Sequence, residues 1–423
     1  YEQAASLLQS AVDKRIALFG DEHIEVARSR QRLGDVLKLK AEYEPALQNY
    51  QDALAMRRKL LGDENIETAR SMYELADLLG RMGDFAGAEP LYREALAVQR
   101  KLIGEKNSEV AKSLEGLGLN LYDQGNADEG IPLLREAVAL QRELHDQPHP
   151  DFAQAVNNLG FVTPDNREAE QLFREALAMK RVLYADEVHP EIAMGLNNIA
   201  YTLHVEGQYA EAEVLYREAI DMNRKLLGDD HPDVAMALNN LAFVSRQKGD
   251  LASATAIARE SLEMYLRTVG GEHPSTARGK NNLAMWLLED GQFEQAEQLL
   301  TEALQLRIDL HGPDHADVAG SKILLADLYI ETGRFAAALE LASAARAVCT
   351  EEFGADHWRT ASAAAAEGAA LSGLRRFDEA ATLLPQSARA LNNNADALPY
   401  FADSAERWLA DFYTTSGRSR EAR

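Results

Sequence analysis

Apolar residues along this chain recur at intervals of three and four, the spacing of amphipathic helices. The helices themselves recur. Aligned on His231-Pro232-Asp233-Val234-Ala235, equivalent segments start at His23, Asn65, Asn107, His149, His189, His231, His273, His315 and His357. The spacing is 42 residues throughout, except for one unit of 40 that begins at His149. Each unit predicts a helix of about 17 residues, a glycine turn and a second helix. The turn glycines are Gly83, Gly125, Gly207, Gly249, Gly291 and Gly333.

Small residues occupy fixed places in both helices. The first carries Gly34, Ala76, Gly118, Gly160, Ala200, Ala242, Ala284 or Ala326, and the second carries Ala46, Ala88, Ala212, Ala254, Ala296 or Ala338. A small side chain lets two helices approach where a larger one would hold them apart. One such pair cannot bury its own apolar face, so it must stack on the next. Pro150, Pro190, Pro232 and Pro274 suit a first helical residue, which needs no backbone donor. The fold class expected is therefore all-α, a solenoid of about ten helix-turn-helix units.

The expected boundaries follow the period. Residues 1–22 read as the second helix of a truncated unit, and 23–148 as units one to three. Residues 149–188 form the shortened unit four, 189–356 units five to eight, 357–398 a divergent unit nine and 399–423 the first helix of a tenth. Glu421 and Ala422 match the start of that helix's partner. In unit four the first helix should stop about one turn early, at Thr163-Pro164-Asp165-Asn166, because proline cannot continue a helix interior. Unit nine carries Glu367 where others have leucine, and the tenth unit is expected to pack less tightly. The pattern looks unfinished at both ends, as in a piece of a longer polypeptide.

The small residue at Ala242, the alanine at Ala254 and the aromatic at Tyr201 resemble the tetratricopeptide repeat signature. The 42-residue period, the Asn-Asn-Leu-Ala runs at 239–242 and 281–284, and the His-Pro-Asp-Val-Ala linker resemble its kinesin light chain subtype. The resemblance spans nearly the whole chain. It implies a right-handed superhelical solenoid, and a protein-interaction scaffold whose first helices line a concave groove. It equally implies a second use. Long arrays of this subtype resemble those fused to Ser/Thr kinases, caspase-like proteases and nucleotide-binding signalling ATPases, where the array would be a regulatory arm.

In such arrays positions 6, 9, 13 and 16 of each unit project into the groove, one helical turn apart. Position 9 is Asn157, Asn197, Asn239 and Asn281 in four successive units. An amide both donates and accepts, so this ladder could hold the backbone of an extended peptide. Position 13 is Phe161, Tyr201, Phe243 and Met285, which would supply apolar pockets. The position 10 residues Asn158, Asn198, Asn240 and Asn282 are free to bond a neighbouring helix instead. Arg246, Arg278 and Lys280 would make this stretch positive, favouring an acidic segment with an aromatic or leucine anchor. That segment could belong to a partner or to this protein, and uncapped ends would permit end-to-end self-association. The first three units place Arg28, Arg32, Asp35, Arg70, Tyr73, Asp77, Lys112 and Glu115 on the same face. This mixed-charge surface could be a second site or only a solvated face, and the face is the favoured reading.

Composition narrows the chemistry. The chain has 423 residues and a formal net charge of −24, which opposes a nucleic-acid partner. No apolar run is long enough for a membrane span. The single cysteine, Cys349, excludes a disulfide framework and fits a reducing, cytoplasmic setting. It falls late on a second helix and reads as a partly exposed, chance thiol. The alanine-rich, acidic composition looks bacterial.

Seven of the ten histidines begin a unit or sit in a linker, roughly 8–10 Å apart along the stack, too far to share a metal. No His-Glu-x-x-His, phosphate-loop or nucleophile-elbow pattern occurs. No catalytic residue, metal or cofactor is expected. Trp286, Trp358 and Trp408 read as packing residues.

Overall fold

The computed structural model describes residues 1–185, 187–394 and 397–418, and these form twenty α-helices without a strand. The first helices of the units are α2 (Ile24–Leu39), α4 (Ile66–Arg81), α6 (Ser108–Asp123), α8 (Pro150–Val162), α10 (Pro190–Val205), α12 (Pro232–Gln247), α14 (Pro274–Glu289), α16 (Ala316–Glu331), α18 (Trp358–Gly373) and α20 (Pro399–Thr415). The second helices are α1 (Glu2–Phe19), α3 (Tyr43–Leu61), α5 (Phe85–Ile103), α7 (Ala127–Leu144), α9 (Asn166–Leu183), α11 (Tyr209–Leu227), α13 (Leu251–Thr268), α15 (Phe293–His311), α17 (Phe335–Phe353) and α19 (Phe377–Asn392). The chain divides into two compact bodies, 1–187 and 188–423. Glu421 and Ala422 lie outside the described residues.

Every first helix from α2 to α18 starts at a side chain that accepts the backbone N–H two residues on. Asn65 and Asn107 do this with Oδ1 at 2.9 Å, as asparagine commonly does. In the other seven units the acceptor is a histidine Nδ1; His231, for example, accepts from Asp233 at 3.2 Å. The neutral Nδ1 stands where the Asn oxygen would, which is why His and Asn interchange at this position. Several of these rings also stack on the end of the preceding second helix. His145 lies 3.8 Å from His149, and Phe19 4.5 Å from His23.

The turn between helices uses left-handed backbone. Gly83, Gly125, Gly207, Gly249, Gly291 and Gly333 all have φ between 73° and 85°. Ala41 and Arg375 take the same region in units that lack the glycine. Within a pair, the small residue on the first helix faces a large one on the second. A Cβ on Gly34 would sit 2.8 Å from the Tyr50 ring, and one on Gly160 2.9 Å from Phe173. The helices have closed to the limit that a missing side chain allows.

Successive units meet at a buried point where a second-helix residue touches one 14 positions later. Arg57 meets Ser71, the Ser113 hydroxyl donates to Gln99 at 2.7 Å, and Arg307 donates to Ser321 at 2.9 Å. Cys349 holds this place opposite Ala363, and both are fully buried. The thiol is therefore not the partly exposed one expected. Where the facing serine is replaced by alanine, an apolar side chain replaces the polar one, and burial pushes the thiol pKa up.

In unit four α8 has 13 residues where α6 and α10 have 16. The Thr163 hydroxyl closes it by donating to the Leu159 carbonyl at 2.7 Å, and Asp165 caps α9 by accepting from Glu168 N–H at 2.8 Å.

The C-terminal end departs most from expectation. Tyr400, Phe401, Ser404, Ala405, Trp408 and Phe412 of α20 are all buried, so the tenth unit is not loosely packed. The cause is the run of alanines in α18, from Ala361 to Ala370, which lets α16 and α20 close on either side of it. Glu367, the anomaly in that helix, accepts from Arg346 of α17 at 2.5 Å. The α20 helix then reaches further back. Asp403 pairs with Arg246 of α12 at 2.9 Å, and Arg407 with Glu331 of α16 at 2.9 Å. Under it Asp327 is buried without a cation, and desolvation holds its carboxyl well above the usual range. Helices α14, α16 and α18 are consequently buried on nearly every side.

If the histidine caps act through Nδ1 alone, His231→Asn should leave stability unchanged, whereas His231→Ala should cost about 1 kcal/mol. Urea midpoints of the two variants, measured beside the parent chain, check this.

Candidate peptide-binding groove

The first-helix face was expected to present an asparagine ladder, and the structure shows what the ladder bonds. Asn282 Nδ2 donates to Asn239 Oδ1 at 2.8 Å, and Asn240 Nδ2 reaches Asn197 Oδ1 at 3.5 Å. The Ser321 hydroxyl donates to Asn281 Oδ1 at 3.1 Å. Position 10 of one unit thus bonds position 9 of the unit before. Asn239 and Asn281 are buried, as is Asn157 in the N-terminal body. The same register recurs there where Asn158 Nδ2 donates to Glu115 Oε1 at 2.6 Å, while the Ser71 hydroxyl donates to Gln31 Oε1 at 3.2 Å as Ser321 does to Asn281.

The position 13 residues grade from exposed to enclosed. Phe161 is 70% exposed and Tyr201 56%. Phe243 is half-buried, with its ring edge-to-face against Trp286 at 4.9 Å. Met285 is fully buried in the core that α20 helps to close. The three cations are also drawn elsewhere. Arg246 pairs with Glu289 and Asp403, both at 2.9 Å, and Arg278 donates to the Tyr265 hydroxyl at 3.3 Å. Lys280 reaches Glu302 on the second helix α15 at 2.7 Å. The structure therefore does not gather all the expected residues on one open surface. Apart from Leu39 at the end of α2, the exposed large apolar side chains on first helices are Phe161, Met194, Tyr201 and Met236, among the described residues. Met194 and Tyr201 lie two turns apart on one face of α10, and Met236 holds the place of Met194 on α12.

A cavity lies in the N-terminal body, on the mixed-charge face for which the solvated reading was favoured over a second site. It encloses about 690 Å³ between α2, α4, α6 and α8. Lys38, Tyr73, Asp77, Tyr92, Lys112, Glu115 and Asp123 are among its lining. Its cations are paired: Lys38 with Glu74 and Asp77 at 2.9 Å, and Lys112 with Asp151 at 3.0 Å. Glu115 is pushed up to about 7 by desolvation, and nearby Asp151 adds to the shift. Asn158 and Lys112 oppose it. Tyr73 and Asp77 on α4 line the same cavity. Sequence position placed four of these residues on the groove face. It could not show that neighbouring helices leave a hollow there.

Among the described residues no cluster of His, Cys, Asp and Glu could hold a metal ion, and no helix is long and apolar enough to cross a membrane.

The tetratricopeptide repeat family model matches residues 1–59, 46–101, 109–181, 191–267, 233–309 and 275–343. The chain belongs to the tetratricopeptide repeat family. No curated protein matches it. Among solved structures it is similar to the apo quorum sensor NprR from B. thuringiensis. The two are 14% identical, with TM-score 0.60, over 86% of this chain and 98% of that one. It is also similar to a Signal Transduction ATPase with Numerous Domains from Pyrococcus horikoshii that has a tetratricopeptide repeat sensor. There the identity is 14% and the TM-score 0.55, over 81% of this chain and 52% of that one. A kinesin light chain repeat protein from Podosopora anserina is 20% identical over 59% of this chain and 99% of that one, with TM-score 0.30.

Two outcomes test the site's internal chemistry. Asn239→Ala leaves the Asn282 amide without its acceptor and should cost about 1–2 kcal/mol. In a double-mutant cycle, adding Asn282→Ala should cost less than it does alone. For Glu115, the folded chain keeps a proton between pH 4.5 and 7 that the unfolded chain releases. Its contribution to stability therefore falls as pH rises through that window. Glu115→Gln should gain on the parent chain between pH 5 and pH 8, read from urea midpoints at each pH.

Proposed function

We propose that this chain is a non-catalytic protein-interaction scaffold that takes an extended segment of a partner along its first helices, in units four to seven. The observation carrying this reading is the exposure of apolar side chains on α10 and α12 of the C-terminal body: Met194, Tyr201 and Met236. Solvent-facing apolar groups grouped on one face of a folded chain mark interaction surfaces. The asparagines behind them hold successive helices in register, so the peptide's grip comes from the apolar strip. Half-buried Phe243 would extend the strip along position 13, and Arg278, still solvent-exposed, would favour an acidic residue in the partner.

A second reading makes the array the sensing or recruiting arm of a larger signalling enzyme. Its support is the likeness to the ATPase sensor, half of whose chain has no counterpart here.

Joint replacement Met194→Ser, Tyr201→Ser and Met236→Ser removes the strip without touching the ladder. With helicity unchanged by circular dichroism, proteins co-purifying with the parent chain should be lost from the variant. Retention of the same proteins would place the contact elsewhere.

A further inference from the structure

The cavity in the N-terminal body has a charge pattern that the reading above does not use. Its cations are already neutralised: Lys38 by Glu74 and Asp77, Arg81 by Asp77 at 3.1 Å, and Lys112 by Asp151. Two carboxylates remain. Glu115 accepts only from Asn158, and Asp123 forms no salt bridge among the described residues. Desolvation raises the pKa of both, that of Glu115 to about 7 even with Lys112 nearby. Both stand on α6, eight residues apart, which is about 12 Å along the helix axis. Leu119 lies midway, with Tyr73 and Tyr92 in the same lining.

A second feature points the same way. Asn120 lines the cavity and is 4% exposed. Its Nδ2 donates to the Phe85 carbonyl at 3.0 Å, while its Oδ1 is buried without a donor. Buried acceptors without partners are uncommon, because each forfeits a hydrogen bond it would make in water. Here the orphan acceptor borders a hollow large enough for several side chains.

We infer that this cavity binds an extended basic peptide with two Lys or Arg side chains four residues apart, one on Glu115 and one on Asp123, and an apolar side chain between them over Leu119, Tyr73 and Tyr92. The spacing follows from geometry. An extended chain rises about 3.4 Å per residue, so four residues span roughly 14 Å. Residues i, i+2 and i+4 point to one side, which puts the central side chain against the aromatic floor. The two ammonium or guanidinium groups supply the charge that the cavity lacks. The inference rests on the reading of the chain as a peptide-binding scaffold, though not on the strip on α10 and α12.

The probe is a fluorescein-labelled peptide, Gly-Ser-Lys-Ala-Leu-Ala-Lys-Ser-Gly, titrated with the whole chain and followed by fluorescence anisotropy at moderate salt. Two control peptides carry Glu for both Lys, or the two Lys side by side. Each control should bind at least about tenfold more weakly, the equivalent of one well-placed charge contact. Glu115→Gln should cost a similar factor. Asp123→Lys, at an exposed position where folding tolerates the change, should do the same independently of the Glu115 variant. The triple serine variant of the strip should bind the probe unchanged, so the two sites fail or stand separately. Equal affinity for the spaced and adjacent Lys peptides would overturn the inference. So would undiminished binding by Asp123→Lys, since both mean that the chain's overall negative charge alone attracts the probe.

Discussion

A helix pair in this chain has two apolar sides and can cover neither by itself, and the rest of the structure answers that constraint. The pair first closes internally, as Gly34 against Tyr50 and Gly160 against Phe173 show. It then covers its outer faces with the units before and after. The polar groups trapped at those contacts must be paired or removed. Arg307 with Ser321 is one solution and Cys349 with Ala363 is the other. The amide rungs between positions 9 and 10 are a third, binding one first helix to the next where water is excluded.

The same constraint decides how much of the first-helix face stays open. In the C-terminal body, alanines on α18 narrow the gap between neighbouring first helices until α20 pairs with Glu331 of α16 and Arg246 of α12. Apolar positions that would elsewhere line a groove become core there, and Met285 is the clearest case. Toward α10 no such cover exists, and Tyr201 stands in solvent. In the N-terminal body small residues act differently. Gly116 lets the Tyr92 ring close onto α6, Gly80 on α4 stays open, and the hollow beside them is lined by charge. One repeat pattern thus yields a filled face, an apolar strip and a charged hollow, according to side-chain volume at a few positions.

Most of the architecture was legible in the sequence, because the period fixes helix existence and the turn glycines fix where each pair folds back. Pro164 announced the shortened α8. Three features were not legible, each for a physical reason. The histidine caps look like linker residues until the imidazole nitrogen is seen on the helix N–H, since histidine rarely plays that part. Cys349 looked exposed because its counterparts are Arg57, Arg307 and Gln99, polar residues that are themselves buried. The packing of α20 depends on contacts reaching 157 positions along the chain, from Arg246 to Asp403, which no local period encodes.

The asparagine ladder shows why a groove cannot be read from residue type alone. An amide at position 9 can serve a ligand or the next helix, and its spacing is the same in either case. What separates the two is whether a donor stands at position 10 of the following unit. Where Asn282 follows Asn239, the acceptor is taken by its own array, and the side chain becomes a strut. Where Glu115 receives Asn158, the amide satisfies one oxygen of a carboxylate and leaves its charge unmatched. The ladder therefore matters most to recognition at the one rung where an acid has replaced an amide. There a neutral neighbour completes the hydrogen bonding, and desolvation leaves the carboxyl holding its proton up to about pH 7.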